Sequence, residues 1–102
     1  MLALRKEVLG PKHPSTLTSM GNLAMTYSRQ GRSSEAEQLE VRVLALRKEV
    51  LGLKHPDTLT SMNNLAMTYS EQGRSSEAEQ LTMQVLALQR AARTEASAQH
   101  TD

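Results

Sequence analysis

The chain contains no cysteine, no tryptophan and no phenylalanine among its 102 residues. Without cysteine there is no disulfide, no thiol nucleophile and no thiolate metal site. With two tyrosines and nothing larger, it has no stacking platform for single-stranded nucleic acid. A core must come from Leu, Val, Met and Ala, which suits close packing of helices built from good helix formers. Neither sign of charge dominates: 12 Lys and Arg stand against 11 Asp and Glu, for a formal net charge of +1. The charges are interspersed, so the basic stripe of a nucleic-acid surface is missing. No stretch approaches the roughly 20 apolar residues that span a membrane. The apolar run at the start of MLALRKEVLG meets charge at Arg5 and is too short for the core of a signal peptide. These absences predict a soluble, cytoplasmic chain that binds neither nucleic acid nor membrane.

What is present is a duplication. Shifted by 42 positions, Leu2–Lys48 lies on Leu44–Arg90, and 38 of those 47 positions are identical. The differences are Pro11/Leu53, Ser15/Asp57, Gly21/Asn63, Arg29/Glu71, Glu40/Thr82, Val41/Met83, Arg42/Gln84, Arg47/Gln89 and Lys48/Arg90. Self-similarity at such a period marks a stacked-repeat architecture in which each unit buries its apolar face on its neighbours.

Each unit predicts two helices. The first starts near Pro14 (Pro56), because proline is tolerated where a helical N–H has no partner. It stops at Gly31 (Gly73), a residue suited to a left-handed C-terminal cap. The second starts at Ser33 or Ser34 (Ser75 or Ser76), and Ser34 with Glu37, like Ser76 with Glu79, has capping-box spacing. It runs to Leu51 before Gly52; its later copy lacks a stop signal and is expected to fray after Arg93. Leu17, Met20, Leu23, Ala24 and Tyr27 share one face of the first helix. Ala36, Leu39, Val43, Leu46 and Val50 share a face of the second, which Leu44 and Leu51 widen. So broad an arc must touch more than one neighbour. With Met1–Leu9 as a leading helix, the expectation is all-α with about five helices: a partial repeat at 1–10, repeats at 11–52 and 53–93, and a polar tail at 94–102.

The pattern Leu23, Ala24, Tyr27 and then Ala36, repeated at Leu65, Ala66, Tyr69 and Ala78, resembles the tetratricopeptide repeat. The 42-residue period, the NLA core, the QGR turn followed by EAE and the LGxxHPxTL linker are similar to the kinesin light chain subtype. They are similar also to the near-identical arrays at the C-terminus of fungal nucleotide-binding receptor-like proteins. The resemblance covers residues 1–93. It departs from the family at Glu40 and Thr82, where a bulky or aromatic residue is usual, and at Met20 and Met62, where tryptophan is common. It implies a right-handed superhelical solenoid of antiparallel helix pairs whose first helices line a concave, peptide-binding surface.

On that surface the first helices would present Thr18, Asn22, Met25 and Arg29, with Thr60, Asn64, Met67 and Glu71 as counterparts. Gly21 and Asn63 lie on the same arc. Exposed methionines offer adaptable apolar contact, and an asparagine amide both donates and accepts hydrogen bonds, as an extended backbone requires. Arg29 and Glu71 would prefer an acidic group near the first repeat and a basic one near the second. The partner expected is therefore a protein or peptide. No cofactor, metal or catalytic residue is expected. His13 and His55 sit singly beside proline, whereas zinc takes three or four ligands; they read as residues that shape the start of the next helix. The serine pairs lack a base and read as helix caps. Glycines 10, 31, 52 and 73 are spread as punctuation and do not cluster into a phosphate loop.

The ends predict one more property. The final helix loses charge and bulk relative to its earlier copy, as Thr82, Gln84, Gln89, Ala91 and Ala92 show, and reads as a C-terminal cap with a more polar outer face. The first residues lack their partner helix and expose Leu2, Leu4, Val8 and Leu9, which predicts self-association through that end or disorder of the first residues in the monomer, and marks the chain as the expected end of a longer repeat array. A self-associating structural module without a separate ligand is the alternative reading of function.

Overall fold

A computed structural model describes residue 10 and residues 12–100, with side-chain surroundings through residue 95. Among these residues four helices follow one another: α1 (Pro14–Arg29), α2 (Ser33–Leu51), α3 (Pro56–Glu71) and α4 (Ser75–His100). No described residue is in a strand. The expected leading helix, with Leu2, Leu4, Val8 and Leu9, lies outside the described residues. The last helix continues to His100, past the point after Arg93 where fraying is predicted.

The helix boundaries have local causes. His13 and His55 are N-caps in extended conformation, and each imidazole Nδ1 accepts a hydrogen bond, at 3.1 Å, from the backbone N–H of Ser15 or Asp57. This satisfies one of the orphan donors of a helix start. At the other end of α1, Gly31 has φ 78°, the Arg32 N–H donates to the Tyr27 carbonyl at 2.8 Å and the Gly31 N–H to that of Ser28 at 3.0 Å. These two bonds make a Schellman motif, which needs a left-handed residue at its centre. The same pair recurs around Gly73.

The predicted Ser34–Glu37 capping box does not form. Arg32 is the N-cap of α2 and no side chain caps that start. Ser33 is already helical, and Glu37 is engaged elsewhere: it accepts from Arg74 and Gln72, each at 3.0 Å, in the next repeat. Arg32 and Arg74 lie over the Tyr27 and Tyr69 rings, at 4.2 and 4.3 Å, a cation–π geometry.

Packing is sequential: each helix contacts the ones before and after it in the chain. The extents of 47 × 37 × 17 Å describe a slab too thin for a central core, so the apolar residues form clusters between helices. Leu17, Met20 and Val43, with Leu39 and Leu46 against them, close the first hairpin. Leu44, Leu59, Met62, Leu65 and Val85 join α2, α3 and α4. Val43 and Leu44 thus face different partners, as adjacent helical residues about 100° apart do. This is how one helix seals both its own hairpin and the boundary with the next repeat. Ala24 and Ala36 are fully buried and allow close approach.

One expectation about faces is corrected: Val50, which the apolar stripe of α2 includes, is exposed. On α4, Met83 and Leu86 are exposed. Leu86 is the counterpart of Leu44, which is buried against α3.

Candidate functional site

A cavity of about 240 Å³ opens between α1 and α3, with α2 beneath it. Met25, Ser28 and Arg29 come from α1, Glu40 from α2, and Asn64, Met67, Thr68 and Glu71 from α3. The i, i+4 spacing of Met25 with Arg29 and of Met67 with Glu71 puts each pair on one helical face. Five of the eight residues that sequence reasoning places on the binding surface are brought together here: Met25, Arg29, Asn64, Met67 and Glu71. Thr18, Asn22 and Thr60 do not line the cavity. Asn22 is exposed and its carbonyl accepts from the Thr26 hydroxyl at 3.1 Å. Thr60 lies beside Lys54, Leu59, Asn63 and Arg93 in a separate shallow depression.

Arg29 and Glu71, at equivalent positions of the two repeats, line one cavity. Stacking sets the C-terminal ends of α1 and α3 side by side. Glu71 accepts a hydrogen bond from Ser28 at 2.7 Å across this gap.

Sequence reasoning missed Glu40 as a site residue. It is only 6 % exposed, and its carboxylate accepts a hydrogen bond from the buried Thr68 hydroxyl. The signal was available in the Glu40/Thr82 difference, which was assigned to capping of the last helix. Thr68 is likewise distinguished from its counterpart Thr26, which is exposed, only by the helix that packs beside it. Burial pushes the Glu40 carboxyl above the ordinary value near 4.5; the Thr68 bond opposes this, and the nearby Glu71 and Glu37 carboxylates add to the rise.

A stability effect follows. Between the ordinary value and the raised folded-state value, the folded chain holds more protons than the unfolded chain, so stability falls as pH rises through that window. Above it, ionised Glu40 is a standing cost. Glu40→Gln is expected to melt above the parent at pH 7, with the difference shrinking as pH is lowered below about 4.5. Thermal melts of both proteins across this range provide the check.

Comparison with known proteins places this geometry. Two family profiles described as tetratricopeptide repeat match residues 16–57 and 41–91, the second covering half of the chain. The chain is similar to a crystal structure of nearly identical TPR-like repeats from a protein of Podosopora anserina described as a kinesin light chain, with 36% identity and a TM-score of 0.81. That match covers 87% of this chain and 42% of the solved one. A second crystal structure of those repeats, with a glutamine replaced by methionine, matches at 34% identity and a TM-score of 0.80, over 91% of this chain and 44% of the other. This chain therefore spans less than half of either structure. No curated protein matches it in sequence.

Proposed function

Because the chain belongs to the tetratricopeptide repeat family, we propose that it holds an extended segment of a partner protein across the face shared by α1 and α3. Repeats of this family generally mediate protein–protein interaction or scaffolding and are typically not enzymes. The observation that carries the reading is the cavity walled by two exposed methionines, Met25 and Met67. Exposed thioethers on a rigid helical face supply apolar contact that adapts to varied side chains. Asn64, half-buried between them, would donate to and accept from the segment's backbone. Arg29 and Glu71 would select for a ligand with opposite charges close together, mainly through association rate and specificity. Thr18, Asn22 and Thr60 would extend the contact along α1 and α3.

The experiment is selection of a random displayed peptide library on the array, followed by calorimetry against the double variant Met25→Asp, Met67→Asp. Both side chains are exposed, so the melting curve should stay close to the parent's. Affinity should fall by more than about 1 kcal/mol, the mark of an energetically important contact. Peptides that bind the double variant as tightly as the parent would put the binding surface elsewhere.

One observation favours the second reading, a self-associating array. Leu86 lies exposed on α4 where its counterpart Leu44 on α2 is covered by the next helix. A protein whose mass rises with concentration by sedimentation, and whose Leu86→Lys variant stays monomeric, would support that assembly.

A further inference from the structure

We propose that the cavity between α1 and α3 receives a single cationic side chain, arginine or lysine, from the bound segment, with the Glu40 carboxylate as its counter-ion. This deepens the peptide-binding reading above and rests on it.

Glu40 is a charge in an unusual place. Acidic side chains are almost never buried unless paired, and burial of an unpaired carboxylate is costly. Glu40 is more than nine-tenths buried, yet no ion pair among the described residues includes it. Its one hydrogen-bond donor among the described residues is the Thr68 hydroxyl, which reaches one of the two carboxylate oxygens. A carboxylate has about four lone-pair sites. Among the described residues no sealed side-chain oxygen lacks a partner, so the second oxygen of Glu40 is not sealed; Glu40 lines this cavity and also a smaller one of about 10 Å³ that it shares with Arg47 and Asn64.

The surroundings favour a cation over any other occupant. The lining carries two carboxylates, Glu40 and Glu71, and one guanidinium, Arg29, for a formal charge of −1. Glu37 adds a further negative field at Glu40. The rim is apolar, with Met25 and Met67 exposed on opposite helices. That combination fits a side chain with an aliphatic stem and a charged head, which buries its stem along apolar surface. The volume of about 240 Å³ is ample, since a cavity of roughly 150 Å³ accepts benzene. Arg29 remains available to a carboxylate on a neighbouring residue of the same segment. The second repeat does not carry the same counter-ion, because Thr82 stands at the position equivalent to Glu40.

The test uses the random displayed library on the parent array and on Glu40→Thr, a change that places at 40 the residue found at 82. Circular dichroism melts first establish that the variant is folded. Peptides enriched on the parent should share one fixed Arg or Lys. Replacing that residue by Ala should weaken binding to the parent at least tenfold and binding to Glu40→Thr by less than twofold, which closes a double-mutant cycle on the pair. Enriched peptides without a fixed basic residue, or an alanine effect equal on both proteins, overturn the cation seat. If such peptides still lose affinity on Met25→Asp, Met67→Asp, the groove reading survives without it. Peptides indifferent to all three positions, or no enrichment at all, bring down both.

Discussion

Leu65→Asp is expected to abolish the cooperative fold. Leu65 is 4 % exposed, in the cluster of Leu44, Leu59, Met62 and Val85 that joins three helices. The change forfeits about 1.5–3 kcal/mol of apolar burial. It also places an unpaired carboxylate among aliphatic side chains, which adds several kcal/mol. Domains of this kind carry only about 5–15 kcal/mol in total, and this cluster is the one that joins α3 to both α2 and α4. Circular dichroism should show most of the helical signal lost at room temperature. A variant that melts like the parent would mean that this face of α3 is not buried.

The second large effect separates two identical residues. Leu44 and Leu86 occupy the same position of α2 and α4, one repeat apart, with the same neighbours in sequence on either side. Leu44 is 7 % exposed against α3, whereas Leu86 is 48 % exposed. Leu44→Ala should therefore destabilise by about 2–5 kcal/mol, the cost of a cavity in a packed interface. Leu86→Ala should stay within about 0.5 kcal/mol, as a surface change does. Denaturant unfolding of the two variants measures the difference. Equal effects would mean that the repeat boundary is not what buries Leu44, or that α4 is itself covered by another copy.

The same comparison explains how far the sequence could be read. Periodicity and the 42-residue duplication report what a helix carries, so the pairing of faces, the glycine stops and the histidine–proline starts were all legible. Neighbours that differ between copies were not. Thr26 and Thr68 are the same residue in the same local sequence, yet Thr26 is exposed and Thr68 is buried, with Glu40 of α2 reaching its hydroxyl. Glu40 itself reads as a surface residue in any hydropathy pattern. Its burial follows from stacking, as does the meeting of Arg29 and Glu71 in one cavity. The candidate site was partly legible for this reason: the predicted arc holds Met25, Arg29, Asn64, Met67 and Glu71, while the floor of the cavity belongs to a helix that the arc does not include. Val50 shows the converse, an apolar residue in correct register that is exposed.

The central claim is that a partner segment lies over Met25 and Met67. Methionine methyl NMR addresses it directly, because the six methionines of the chain include built-in controls. Met20 and Met62 are buried in the two interhelical clusters, and Met83 is exposed on α4. On titration with a library-selected peptide, the Met25 and Met67 methyl signals should move together with one saturation curve, while those of Met20 and Met62 stay nearly fixed. Binding that leaves both Met25 and Met67 unmoved would contradict the account.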